Sequence, residues 1–179
     1  AIACDQDDAE AHTNLGNILD LLGDKIEAEK KFNQAITLDP ASAMAYFNLG
    51  NMLSKIERYN EAETHYRKAL ELSPNLHKAY SGLGGIMLEQ GNFGAAIDYS
   101  RHATTLDPND ASAHACLASA LLADGCLDDS EACCMRSLEL DPDLAETHCV
   151  LGNIFMKRGR IQDAHNSIRQ AIALKKDFY

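Results

Sequence analysis

The chain has 179 residues, of which 46% are hydrophobic and 6% aromatic, with no tryptophan and a formal net charge of −11. That is ample apolar material for a core, and the acidic balance offers no basic surface for a nucleic-acid backbone or an anionic membrane. No apolar run reaches membrane-spanning length, and no basic-then-apolar leader opens the sequence.

The four prolines, Pro40, Pro74, Pro108 and Pro142, recur every 34 residues. A fixed period of this size marks a repeat architecture and is read before any local element. Placing each proline at slot 32 divides the chain into units at 9–42, 43–76, 77–110, 111–144 and 145–178. Residues 1–8 then fall on slots 27–34 of a preceding truncated repeat, so the chain is expected to be an excerpt of a longer array.

The first unit, 9–42, sets the pattern with Leu15 and Gly16, then Ala28, Phe32 and Ala35. The second repeats it with Leu49 and Gly50, then Ala62, Tyr66 and Ala69, and the same slots follow through the later units. Within each unit, apolar and small residues at three- and four-residue spacing predict two amphipathic helices. Small residues at fixed slots require close approach of the helix backbones. Gly23, Gly91, Gly125 and Gly159 end the first helices, and Asp-Pro or Ser-Pro steps end the second. Slot 24 is aromatic in Phe32 and Tyr66 but Ser100, Cys134 and Ile168 later, which predicts looser packing in the later units. At the end of the array, an apolar face around Ala164, Ile168 and Ala171 is expected to be exposed and to associate.

His12-x2-Leu15-Gly16-x2-Leu19, Ala28-x3-Phe32 and Pro40, recurring five-fold over 9–178, resemble the tetratricopeptide repeat. The resemblance implies an all-α, right-handed superhelical solenoid of five helix-turn-helix repeats, forming one continuous domain over 1–179. It departs at slot four, which holds Tyr46 and Tyr80 but His12, His114 and His148 elsewhere.

No nucleotide loop, nucleophile elbow or zincin motif is present, so no enzyme activity and no cofactor are expected. His114 and His148, near Cys116 and Cys149, invite a metal reading. Their slot belongs to the packed face, so they are expected to replace an aromatic ring rather than bind metal. The six cysteines contain no Cys-x-x-Cys pair and read as small core fillers, not a disulfide framework. A reducing, cytoplasmic location is the corresponding expectation.

By resemblance, slots two, five, six, nine, twelve and thirteen line a concave groove that takes partner peptides. Asn14, Asn17, Asn48 and Asn51 occupy slots six and nine there, and their amides could hold an extended backbone through paired donors and acceptors. The row is similar to the asparagine ladder of O-linked N-acetylglucosamine transferases, although slot six breaks after Asn48. Packing between helices is the alternative use of these amides. Phe47, with no evident core task, is the expected apolar anchor, and Lys55 and Lys78 are the nearest cations. Ser81, Ser119 and Asn153 continue the track. Slot five carries no Lys, which argues against a clamp for chaperone carboxylates. The expected role is a non-catalytic module binding a protein or extended peptide, with self-association through the terminal repeats. The alternative is a substrate-recruiting arm of a larger enzyme such as a glycosyltransferase.

Overall fold

The computed structural model describes residues 8–176, and the truncated repeat expected at 1–8 lies almost wholly outside them, as do Cys4 and Tyr179. Ten helices follow in order: α1 Ala9–Leu21, α2 Lys25–Leu38, α3 Ala43–Lys55, α4 Tyr59–Leu72, α5 His77–Glu89, α6 Phe93–Leu106, α7 Ala111–Asp124, α8 Leu127–Leu140, α9 Ala145–Lys157 and α10 Ile161–Lys176. There is no strand among the described residues. The fold is all-α, and within each of two compact units, residues 1–82 and 83–179, neighbouring helices pack as antiparallel pairs.

The turn inside each pair is set by one backbone conformation. Gly23, Gly91, Gly125 and Gly159 have φ of 85°, 73°, 89° and 70°, and Glu57 takes the same slot at 63°. Only glycine enters this left-handed region without a Cβ penalty. The helices following the turns begin on Asp24 and Asn92, whose side chains accept from Glu27 N and Ala95 N. Before each Asp-derived proline turn, Asp39, Asp107 and Asp141 accept from the backbone two residues on, closing the loop locally.

In residues 1–82, Phe32 and Tyr66 are the most deeply buried rings, each lying over a glycine of its partner helix. A Cβ on Gly16 would stand 2.7 Å from the Phe32 ring, and one on Gly50 would stand 2.9 Å from Tyr66. In residues 83–179 the same slot holds Ser100, Cys134 and Ile168, and the expected looser packing does not occur at the first two. Ser100 and Cys134 are both fully buried, and a Cβ on Gly84 would collide with Ser100 Oγ. Ser100 Oγ is left buried without a hydrogen-bond partner.

Side-chain bonds also tie neighbouring repeats. Asp20 Oδ2 accepts from Lys55 at 2.8 Å and Oδ1 from Lys25 at 2.6 Å. Arg58 spans Glu29 of the repeat before and Glu61 of its own helix, each at 2.6 Å. In the second unit, Arg158 pairs with Asp128 and Glu131, and Ser137 Oγ lies 2.8 Å from Thr147 Oγ1 in the core.

Candidate functional site: a polar cleft over α1 and α3

The turn of each pair and the glycine contacts above place α1 and α3 side by side, with slots two, five, six and nine on a shared face. A cleft of about 560 Å³ opens there, lined by Glu10, Thr13, Asn14, Asn17, Asp39, Ser42, Met44, Phe47, Asn48 and Lys78. A second opening of about 210 Å³ adjoins it, lined by Asn17, Asp20, Leu21, Asn48, Asn51 and Lys55. Asn17 and Asn48 are shared by both.

The ten residues expected in the groove meet different fates. Asn14 is exposed, Asn17 and Asn48 are half-buried, and Lys78 is exposed at the cleft edge. Phe47 is not a free anchor. It is 8% exposed, and its ring packs against Tyr66 with centroids 6.0 Å apart, so it forms the floor of the cleft. The sequence missed this core task because the partner ring lies 19 positions on, in α4.

Asn51 accepts from Tyr66 Oη at 2.7 Å, so its carbonyl oxygen already serves the helix pair and its NH2 is the group most available to the cleft. Lys55 is bound to Asp20 rather than held open. Burial alone would raise the Asp20 pKa, but hydrogen bonds and charge from Lys25 and Lys55 outweigh it and hold the carboxyl below its ordinary value. Ser81 is half-buried and its Oγ has no hydrogen-bond partner. Ser119 and Asn153 belong to the second unit, where Ser119 Oγ donates to Ala115 O at 3.0 Å and Asn153 is exposed.

The histidines and cysteines resolve in structural terms. His114 Nε2 and His148 Nε2 lie 3.1 and 2.9 Å from the carbonyl oxygens of Pro108 and Pro142, the turn prolines of the preceding repeats. Each ring therefore latches onto the loop before it. No group of three or more His, Cys, Asp or Glu among the described residues is placed to hold a metal ion. The five described cysteines are free thiols. Cys134 is a core filler, and burial with neighbouring Cys133 and Glu131 pushes its thiol up to about 12. Cys126 departs from the core-filler expectation: it is exposed in the α7–α8 turn with its thiol 3.6 Å from Asp124 Oδ2, a contact that raises its pKa.

The expected exposed end face also shifts. Ala164 and Ala171 are buried at 3% and 1%, and the open apolar surface is formed instead by Met156, Ile161 and Ile172 with Ile168. No described helix is long and apolar enough to cross a membrane.

Comparison with known proteins agrees with this architecture. Three family profiles described as Tetratricopeptide repeat match residues 9–42, 43–76 and 77–110, together more than half of the chain. A comparison with curated protein sequences returns no match. Among solved structures, YrrB, described as a TPR protein with an unusual peptide-binding site, is 25% identical with a TM-score of 0.66, over 97% of this chain and 89% of that one. TTC0263, a thermophilic TPR protein of Thermus thermophilus, is 20% identical with a TM-score of 0.82, over 93% and 91%. MamA residues 41 to the end, from Desulfovibrio magneticus RS-1, is 21% identical with a TM-score of 0.74, over 94% and 96%.

Proposed function

Because the chain belongs to the tetratricopeptide-repeat family, an all-α family of protein-interaction repeats, we propose that it is a non-catalytic module holding an extended segment of a partner protein in the cleft over α1 and α3. The observation that carries this reading is the convergence of Asn14, Asn17 and Asn48 with Lys78 above an apolar floor of Met44 and Phe47. A primary amide offers a donor and an acceptor at once, so it can pair with a peptide bond whatever side chain that residue bears. The floor takes an apolar side chain, and Lys78 takes a carboxylate. Asn51 and Lys55, bound within the fold, shape the second opening and contribute what their internal bonds leave over. Ser81 sits at the slot-five position of α5, and Ser119 and Asn153 hold the slot-nine positions of the second unit, where they would serve a peptide in turn.

The helix pairs α7–α8 and α9–α10 are read as the fourth and fifth repeats of the same module, at 111–144 and 145–178. Its free thiols fit a reducing, cytoplasmic setting. YrrB supports the peptide reading by analogy, as a structural relative described with a peptide-binding site. The asparagines also favour a second reading, in which the array recruits substrates for a larger enzyme such as an O-linked N-acetylglucosamine transferase. A catalytic domain in the gene's full reading frame would decide for it. Association of copies through the end hairpins belongs to the same interaction role.

The test begins with peptides selected from a displayed random library against the immobilised chain. One selected peptide is synthesised and titrated against wild type, Asn14→Ala, Asn48→Ala and Lys78→Ala at low and high salt. A neutral hydrogen bond contributes about 0.5–1.5 kcal/mol, so each Asn variant should bind several-fold more weakly at either salt. Lys78→Ala should instead remove whatever salt dependence the peptide shows. Wild-type binding by all three, with loss on substituting exposed residues of α2 and α4, would overturn the reading.

A further inference from the structure

The cleft over α1 and α3 carries opposite charges on its two banks. Slot two is Glu10 in α1, Met44 in α3 and Lys78 in α5, and all three line the same opening. Glu10 and Lys78 are exposed, and among the described residues neither takes part in an ion pair within the fold. The charges of the adjoining opening are settled differently. Asp20 is bound there by both Lys25 and Lys55, so those groups already answer one another.

Other groups near the cleft reinforce this division. Asp39 lines it with Oδ1 accepting from Ala41 N, and Asp8 caps α1 by accepting from Glu10 N, so both acids engage backbone rather than a cation. Between the banks lie exposed Met44 and the ring of Phe47, which packs on Tyr66. Tyr66 in turn reaches Gly82, one helical turn after Lys78, and so seats the start of α5 against the second repeat. Lys78 is thereby carried on a packed helix at the edge of the apolar floor.

Spacing then restricts what can answer both charges at once. Packed helices stand roughly 8–10 Å apart, so α1 and α5 lie about 16–20 Å apart across α3. An extended chain rises about 3.3 Å per residue and turns alternate side chains to the same side. Residues i, i+2 and i+4 therefore face the cleft together and span about 13 Å. The long, flexible side chains of Glu10 and Lys78 close the difference. Charges at i+1 or i+3 would point away from both.

We infer that the segment this cleft selects carries a basic and an acidic side chain two positions either side of an apolar one. The base meets Glu10, the apolar side chain rests on Met44 and Phe47, and the acid meets Lys78. This rests on the peptide reading proposed above and names the chemistry of its ligand. The amides of Asn14, Asn17 and Asn48 both donate and accept, so the segment can lie in either direction. The rule concerns where the charges stand, not which comes first in the chain.

The experiment titrates four end-blocked peptides, each with leucine at the centre of a neutral serine frame and a charge two positions to either side. The charges are Lys with Glu in both orders, Lys with Lys, and Glu with Glu. The proteins are wild type, Glu10→Lys, Lys78→Glu and the double variant, with circular dichroism confirming that each folds. Wild type and the double variant should bind the mixed peptides about fivefold or more tighter than either like-charged one at low salt, and high salt should narrow the gap. Glu10→Lys should instead prefer the Glu–Glu peptide, and Lys78→Glu the Lys–Lys peptide. Moving the charges next to the leucine turns them to the other face and should abolish the discrimination. Attraction by the net charge of −11 alone would rank the Lys–Lys peptide first for every protein. That ranking, or one that neither substitution alters, would overturn the inference. The two readings fail separately. Weaker binding of the selected library peptide by Asn14→Ala and Asn48→Ala, without any charge ranking, leaves the cleft reading standing and sinks the pairing. The expected charge ranking, with undiminished affinity in both Asn variants, leaves the pairing standing without the amides.

Discussion

Tyr66 Oη donates to Asn51 Oδ1 at 2.7 Å, tying the middle of α4 to the middle of α3 beside the cleft. Tyr66 is 2% exposed, so either substitution that removes this bond should register as stability. Asn51→Ala and Tyr66→Phe are each expected to cost about 1 kcal/mol. The double variant should cost much less than their sum, since both remove the same bond. Asn14→Ala, an exposed change in the same row, should leave the denaturation midpoint within about 0.5 kcal/mol of wild type. Chemical denaturation of the four variants and wild type decides it.

The contrast between Asn51 and Asn14 marks how far the residue pattern alone reaches. The helices, their order and the small-residue slots are periodic, and a period survives in one dimension. Phe47 and Asn51 were legible as cleft positions for the same reason. Their ties to Tyr66 were not, because they depend on which way a ring on the facing helix leans. Asp20 was missed altogether: its slot is Ser54, Leu88, Leu122 and Met156 in the other repeats, so no period announces an acid there. The Ser100 packing was misjudged because a small side chain at that slot is covered as completely as the rings of the earlier repeats.

Glu57 occupies the turn slot that four other repeats give to glycine, with φ of 63°. A Cβ in the left-handed region costs roughly 1–2 kcal/mol, partly offset by the greater freedom of glycine in the unfolded chain. Glu57→Gly should therefore stabilise the protein by about 0.5–1 kcal/mol. Thermal denaturation checks it, and Glu57→Ala, which keeps the Cβ, should show no comparable gain.

Asp20 gives the fold an acid-sensitive joint between its first two repeats. Its folded pKa lies below the ordinary carboxylate value, because Lys25 and Lys55 outweigh the burial that opposes ionisation. Its contribution is thus fully present above the unfolded-state value of about 3.9 and is lost as pH falls through the lower folded value. Asp20→Asn should reduce stability at neutral pH by about 1–2 kcal/mol and flatten the acid limb of the stability curve. Below the folded pKa the two proteins should converge. Denaturation midpoints measured from pH 7 downward, roughly across the carboxylate range, give the comparison.

The thiols should separate by exposure. Cys126 is exposed and Cys134 is buried with its thiol raised to about 12. A neutral thiol reagent should modify Cys126 in the native protein, slowly because its contact with Asp124 disfavours the thiolate. Cys134 should react only on unfolding. Peptide mapping after timed labelling reads both, and rapid native labelling of Cys134 would contradict the packing described.

Gly82 offers the sharpest test of how packing shapes the cleft. A Cβ there would stand 2.5 Å from Tyr66 Cζ, and the ring cannot retreat because Gly50 closes its other side, where a Cβ would stand 2.9 Å away. Alanine gains roughly 1 kcal/mol over glycine in a helix, while overpacking costs about 1–3 kcal/mol. Gly82→Ala should therefore destabilise or at best break even, whereas Gly85→Ala on the same helix, where a Cβ meets nothing within 4 Å, should stabilise. The penalty should vanish in a Tyr66→Leu background, which removes the contacting ring atoms. Lys78 lies one turn before Gly82 and lines the cleft, so a displaced α5 should also weaken binding of the selected peptide. If Gly82→Ala and Gly85→Ala shift stability equally, Tyr66 is not wedged between its two glycines, and the link from that ring to the cleft is broken.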